Sequence, residues 1–330
     1  MGDQPMLEVE DLGVTFETPR GPVPAVEAAN FRLGAGEVLG LVGESGSGKT
    51  VTLKAILRLL RPSARITGKV AWRGDDVLAM SPQRLRRLRG REIAMIFQEP
   101  MTALNPVLTI AAQIDEMLVA HTDLDRAARQ RRALELLDQV GIPAASIRLS
   151  QYPHEFSGGM RQRAMIAIAL AARPKLLLAD EPTTALDVTI QDQILTLLAK
   201  LTSELGMAMI LVTHDLGVVA EICDRVCVMY AGEIVETGSA ASVFTHPRHG
   251  YTAALLNAIA AGVAPRAALE AIPGQPLAAG LTRQGCAFAP RCRYVEEPCR
   301  QGRMRLRALT GAHESACLGE SRIQRRVEIA

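Results

Sequence analysis

Gly43-Glu44-Ser45-Gly46-Ser47-Gly48-Lys49-Thr50 fits the spacing G-x-x-x-x-G-K-[ST]. Glycines at these places let successive backbone N–H groups turn inward onto phosphate oxygens. A helix starting at the lysine adds the positive end of its dipole. Lys49 then reaches the outer phosphates and Thr50 offers a hydroxyl to Mg²⁺. With 27 Gly and only 5 Lys in 330 residues, about 0.003 such matches are expected by chance. A glycine-rich turn beside an exposed lysine is therefore a poor rival to nucleotide binding. Leu176-Leu177-Leu178-Ala179-Asp180-Glu181 supplies a second half. A buried apolar strand would deliver Asp180 to its carboxyl end, where open α/β sheets bind ligands and a carboxylate can hold Mg²⁺. Glu181 is placed to orient or polarise an attacking water. Two acidic residues at a strand end are common by themselves; beside the phosphate loop they are not.

The elements that must position these residues follow from pattern. Leu7–Phe16 alternates like a strand, and Ala25–Leu33 follows a Pro/Gly-rich turn at Pro19–Pro24. Val38–Val42 is a short buried strand running into the phosphate loop, and Val51–Leu60 reads as a helix. Further strand is expected within 66–80, at Ile93–Phe97, Leu176–Ala179, Met207–Val212 and Arg225–Tyr230. Helices are expected over Ile110–Val140, Met160–Ala172 and Ile190–Leu205. Strands alternating with helices predict an α/β parallel sheet. After about Ser239 prolines punctuate the chain, with one helix expected at Tyr251–Ala260 before an Arg- and Cys-rich tail.

Composition narrows the classes. Apolar residues at 48% and charged residues at 22% exclude wholesale disorder. Aromatics at 3% argue against a stacking platform for single strands, and a net charge of +2 gives no whole-molecule field for nucleic acid. No signal peptide is expected from the polar, acidic start Met1–Glu10, and no run reaches the 18 apolar residues of a spanning helix. These features predict a cytosolic chain that meets any membrane through a partner. The charge is uneven: from Arg283 onward there are 10 Arg, no Lys and 5 Glu, and four of six cysteines fall there.

Phe156-Ser157-Gly158-Gly159-Met160-Arg161-Gln162-Arg163, about twenty residues before the Asp180 strand, resembles the signature of ABC-type ATPases. The other landmarks of that family lie in order: Gln98 in Ile96–Pro100, Ala185-Leu186-Asp187, and His214 in Val212–Asp215. Phe156 and Met160 depart from the Leu and Gln most common there, but the Ser-Gly-Gly is intact. The resemblance covers roughly residues 7–240. It implies an ATPase domain over 1–240, with a parallel core sheet, a small antiparallel β subdomain and a helical signature subdomain at about 100–172. It further implies that two such domains pack head to tail, sharing two ATP sites. Ser157, Gly158, Gly159 and Asp187 of one would then face ATP held by Gly43–Thr50 of the other. Thr50, Gln98 and Asp180 would hold Mg²⁺, and Glu181, His214 and Gln98 would serve hydrolysis. Phe16 would stack on adenine, against the ordinary alternative of a core phenylalanine.

Cys286, Cys292, Cys299 and Cys317 admit four readings from spacing alone. Scattered reduced thiols are the plain one, weakened by clustering against a nearly cysteine-free body. Structural zinc sites show short C-x2-4-C pairs, and none is present. Disulfides do not suit the compartment. Four thiolates can hold an iron–sulfur cluster, whose ligand spacings vary more. Gly285–Cys292, Ile96–Pro106, Glu155–Arg163 and Thr245–Tyr251 resemble ATPase subunits of oligopeptide/dipeptide-type ABC importers, with 241–330 as their C-terminal extension. That resemblance implies a [4Fe–4S] cluster on the four cysteines. The tail arginines read as a solvated face or an anionic-lipid patch, and Arg84, Arg86, Arg87, Arg89 and Arg91 as a helix surface.

The resemblance as a whole implies an ATPase subunit powering peptide import, peripheral on the cytoplasmic face of a bacterial inner membrane. Its expected partners are a related but different second ATPase subunit, two transmembrane permease subunits and an extracytoplasmic substrate-binding protein, with no nucleic acid. Nickel, glutathione or another small solute is the alternative cargo. A soluble ABC ATPase of translation or repair would carry tandem cassettes or a long coiled-coil insertion, and neither is present.

Overall fold

The computed structural model describes residues 4–184, 186–263, 272–275, 277, 284–309 and 311–323. The chain forms two compact units. One comprises Met1–Gly34, Val38–Leu78 and Thr213–Ala330; the other Ala35–Glu37 and Ala79–Val212.

In the first unit, Leu7–Thr18 lies between Gly21–Leu33 and Ala64–Trp72, antiparallel to both, and Asp75–Asp76 extends the sheet. Leu7, Val9, Leu12 and Val14 are at most 1% exposed, with a register shift between Val9 and Leu12 that keeps both inward. The second strand starts at Gly21 rather than Ala25, because Pro22 and Pro24 lie on an edge strand, where a missing N–H costs no ladder bond. A separate set of strands begins with Val38–Val42, parallel to Arg225–Tyr230. Glu233–Ser239, which sequence reading missed, pairs antiparallel with Arg225–Tyr230. The tail contributes Glu314–Ser315, paired on Glu233–Ser239, and Arg307–Ala308 beyond it. Helices Lys49–Ile56, Leu216–Ile222, Ala240–Thr245 and Gly250–Val263 complete the unit.

The second unit holds parallel strands Ile93–Ile96, Leu176–Asp180 and Ala208–Val212, in the order 93–96, 176–180, 208–212. Every residue of the latter two is buried, which is why they read as continuous apolar runs. Its longer helices start at side-chain caps: Thr109 before Ile110–His121, Asp125 before Arg126–Gln139, Ser157 before Gly158–Leu170 and Asp187 before Val188–Leu205. The single helix expected over Ile110–Val140 is thus two. The Asp125 carboxylate accepts the Ala128 N–H at 2.8 Å and starts a new helix in mid-pattern. Arg129 Nε returns to Asp115 Oδ1 at 2.6 Å, joining the two helices.

Candidate active site

The phosphate loop sits at the end of the buried strand Val38–Val42. Gly43, Gly46 and Gly48 have φ of 152°, 77° and 106°, the region where only glycine is comfortable. Space matters as much as angle. A Cβ on Gly43 would lie 2.1 Å from the Met229 carbonyl oxygen, and one on Gly48 would lie 2.7 Å from that of Ala25. Lys49 is 5% exposed, and its Nζ donates to the carbonyls of Gly43 and Glu44 at 2.8 and 2.9 Å. The loop therefore closes around its own lysine. Ser47 Oγ is buried without a hydrogen-bond partner among the described residues, a polar atom a bound ligand or water can satisfy. Thr50 is half-buried on the first turn of Lys49–Ile56, and Ser45 is exposed.

Two further expected residues share this unit. His214 is exposed and precedes Asp215, whose carboxylate accepts from Gly217 and Val218 and starts the next helix. Phe16 is half-buried near the end of its strand, paired in register with Val23 and Ala64.

In the second unit Asp180 is 1% exposed at the carboxyl end of its strand. Glu181 follows with φ of 45°, held there by its N–H donating to the Val212 carbonyl at 2.9 Å. A non-glycine residue in this region is strained, and such strain gathers at functional positions. Glu181 Oε2 accepts from Gln98 Nε2 at 3.0 Å and from Thr184 Oγ1 at 3.0 Å. The structure thus brings Gln98 and Glu181, 83 residues apart, into one hydrogen-bonded pair.

Ser157, Gly158 and Gly159 form an exposed to half-exposed helix start. Ser157 Oγ accepts the Met160 N–H at 3.4 Å. A Cβ on Gly159 would stand 3.0 Å from Ile190, and one on Gly158 3.4 Å from Leu186. The glycines let the segment after Glu181 pack closely, and Asp187, exposed, caps the helix of Ile190. Phe156 is 2% exposed, so the departure from Leu is a core substitution. Ala185 lies outside the described residues.

Cys286, Cys292, Cys299 and Cys317 are half-buried. Burial pushes the Cys286 thiol up to about 11, with Cys292, Cys317 and Cys299 near enough to add to the rise. Burial likewise raises Cys292 and Cys317. Nearby backbone amides of Phe288, Tyr294 and both Gly319 and Gly250 temper the rise at Cys286, Cys292 and Cys317 respectively. Among the described residues, however, no group of three or more His, Cys, Asp or Glu side chains could hold a metal ion. The iron–sulfur expectation gains no support from that geometry. Cys223 and Cys227 are buried core thiols.

Sequence reading missed two groups that act on the phosphate loop. The Glu44 N–H donates to Tyr251 Oη at 2.7 Å, and the Glu44 carboxylate takes a two-pronged ion pair from Arg291 at 2.8 and 3.0 Å. Both lie within the motifs Thr245–Tyr251 and Gly285–Cys292, but nothing in their spacing to residue 44 signalled the contact.

Residues 26–184 match the ABC transporter family, and residues 235–299 match the oligopeptide/dipeptide transporter C-terminal region. The oligopeptide transport ATP-binding protein OppD of Salmonella typhimurium is 51% identical over 294 residues, 89% of this chain and 88% of that protein. The chain belongs to the ATP-binding subunits of oligopeptide/dipeptide-type ABC transporters. OppD of Bacillus subtilis is another such ATP-binding subunit, 50% identical over 88% of this chain and 82% of its own length. Among solved structures, the dimeric post-hydrolysis state of the ATP-binding cassette MJ0796, bound to ADP and Pi, matches with a TM-score of 0.64. It is 29% identical, covering 71% of this chain and 99% of that one. The P-loop α/β fold of ABC ATPases expected from sequence is the one observed.

Proposed function

We propose that the chain binds and hydrolyses ATP to power import of di- and oligopeptides through a membrane ABC transporter. The observation that carries this is the loop Gly43–Thr50, closed on a buried Lys49 and walled so that only glycine fits at Gly43 and Gly48. Family membership supplies the transport context, and the peptide cargo rests on relatives named for oligopeptide transport. In this reading the N–H groups of the loop and Lys49 hold the β- and γ-phosphates, and Phe16 stacks on adenine. Glu181, oriented by Gln98 and Thr184, takes a proton from the attacking water, and His214 steadies the γ-phosphate. Thr50, Gln98 and Asp180 are hard oxygen ligands of the kind Mg²⁺ takes. The ion supplies charge that offsets the phosphates.

The MJ0796 cassette is dimeric with bound ADP and Pi. By analogy, Ser157, Gly158, Gly159 and Asp187 of this chain complete the ATP site of a second, related ATPase subunit. Their exposure supports that reading. The pair would serve two permease subunits and an extracytoplasmic substrate-binding protein at the cytoplasmic face of the inner membrane. No helix of the described residues is long and apolar enough to cross a membrane. The reading keeps an ATPase domain over 1–240, with its helical part at about 100–172, and an extension over 241–330.

We also carry a [4Fe–4S] cluster on Cys286, Cys292, Cys299 and Cys317 as the finer part of the proposal. Neighbouring thiols add to the rise at Cys286, Cys292 and Cys317, and backbone amides beside these sulfurs temper it, as amides beside cluster sulfurs do. Each thiolate of such a cluster binds its own iron, so the four need not converge on one ion.

Reconstitution with cognate permease subunits in vesicles tests the transport reading. ATP hydrolysis is expected to rise on assembly, and internal peptide to accumulate only with ATP and capture protein. Strong uncoupled hydrolysis by a monomer would contradict it. Anaerobic purification followed by iron and sulfide analysis tests the cluster; colourless protein with stoichiometric zinc overturns it.

A further inference from the structure

An acidic residue inside a phosphate loop is a charge problem. Glu44 stands second in the loop, where a bare carboxylate repels the polyphosphate the loop is built to hold. The structure resolves this from outside the loop. The Arg291 side chain is 6% exposed, and its two terminal nitrogens straddle the Glu44 carboxylate at 2.8 and 3.0 Å. Its Nε donates to the Pro273 carbonyl at 2.9 Å, and Nη1 also reaches Tyr230 Oη at 3.2 Å. The guanidinium lies 5.8 and 5.9 Å from the ring centres of Phe288 and Tyr230. Four hydrogen bonds from its five N–H donors fix this planar fork on the Glu44 carboxylate.

The Glu44 backbone is held as firmly. Its N–H goes to Tyr251 Oη and its carbonyl to Lys49 Nζ. Tyr251 is itself fixed against Tyr230 and Phe288, ring centres 4.6 and 5.3 Å away. Lys49 and the Ser47 N–H hold the Glu44 carbonyl from within the loop, whereas Arg291 and Tyr251 reach Glu44 from beyond residue 240. Both back onto the cysteines. Arg291 directly precedes Cys292, and Gly250, before Tyr251, packs so closely that a Cβ there would stand 2.7 Å from Cys292 Sγ.

We propose that Arg291 and Tyr251 are positioning residues for nucleotide binding. The C-terminal segment neutralises Glu44 and fixes its peptide, so affinity for ATP depends on that segment staying docked on the phosphate loop. This rests on the reading of Gly43–Thr50 as the ATP site.

The test is equilibrium titration of the full chain with a fluorescent ATP analogue, with melting temperature followed in parallel and KM and kcat measured for hydrolysis. Arg291→Ala exposes the loop to an unpaired carboxylate and raises Kd and KM about tenfold, the change falling on KM rather than kcat. Arg291→Lys, a point charge without the fork, falls between. Adding Glu44→Gln to Arg291→Ala removes the unpaired charge and brings Kd back to within about twofold of the unsubstituted protein. Tyr251→Phe keeps the ring and loses the acceptor, raising Kd about threefold. If Arg291→Ala melts early, Arg291→Lys and Tyr251→Phe carry the test. Unchanged affinity in Arg291→Ala, or a double variant as weak as the single, overturns the proposal. Failure of the unsubstituted protein to bind ATP overturns the reading of the loop itself, and the proposal with it.

Discussion

Replacing Glu181 by glutamine separates its two possible contributions, position and proton acceptance. The backbone at residue 181 has φ of 45°, which costs about 1–2 kcal/mol for a side chain of this kind and is the same for Gln. Gln98 Nε2 and Thr184 Oγ1 both donate to a single carboxylate oxygen, Oε2. An amide oxygen can accept both, so the local network survives the substitution. What is lost is the base. General-base catalysis is worth about 10²–10⁴ in rate, or about 3–5 kcal/mol of barrier. Phosphate release by the assembled transporter should fall by at least about a hundredfold. ATP affinity should stay within about twofold, and an ATP-dependent dimer should persist on size exclusion. Turnover within tenfold of the unsubstituted protein would refute a proton-accepting role for Glu181. The strain is tested alongside: Glu181→Gly should be more stable than Glu181→Ala by about 1 kcal/mol in denaturant titration, because only glycine relaxes at this angle.

Gly43→Ala should lose ATP binding and about 3 kcal/mol or more of stability, since its Cβ would stand 2.1 Å from a backbone carbonyl that cannot rotate away; unchanged denaturant midpoint and ATP titration would count against the described loop. His313→Ala should cost about 3 kcal/mol, because the His313 ring spans Glu236 Oε1 at 2.7 Å and Ser242 Oγ at 2.6 Å and would leave a fully buried carboxylate with, among the described residues, the Arg248 N–H alone. A chemical-denaturation shift under 1 kcal/mol argues against that pairing. Cys223, buried and pushed up to about 12, should resist iodoacetamide in native protein at pH 8 and react once unfolded; rapid native labelling, read by mass spectrometry, would show the site open.

The phosphate loop and the strand ending at Asp180 were legible because short contiguous spacings carry them. Gly43–Thr50 and Leu176–Glu181 each join a buried strand to a polar end, and the strand is visible as an unbroken apolar run. Ser157 and Asp187 each cap the helix that follows, which fits the helix starts that the pattern placed near them. Contacts between distant segments were not. Gln98 meets Glu181 across 83 residues and Arg291 meets Glu44 across 247, and nothing local in either pair specifies its partner. Patterning also failed where a cap interrupts a continuous apolar rhythm, as at Asp125. It failed again at Pro22 and Pro24, which read as a turn but lie on an edge strand.

The tail shows how such long contacts can carry meaning. Its net charge of +5 from Arg283 onward reads in sequence as a solvated face, and for Arg303 and Arg307, about half exposed, that reading fits. Arg291 is different in kind. A guanidinium 6% exposed gives up its hydration and needs compensating partners to remain buried. Glu44, Tyr230 and the Pro273 carbonyl provide them. Removing Arg291 leaves Glu44 as the uncompensated charge, and Glu44 stands where phosphate is to bind. The cost of breaking this pair therefore falls on the nucleotide as well as on the fold. A surface salt bridge of the same length would be worth under about 1 kcal/mol and would be invisible to ATP. That contrast is why the Arg291→Ala and Glu44→Gln double-mutant cycle reads function, whereas the same cycle on Arg303 and Glu233 should read almost nothing.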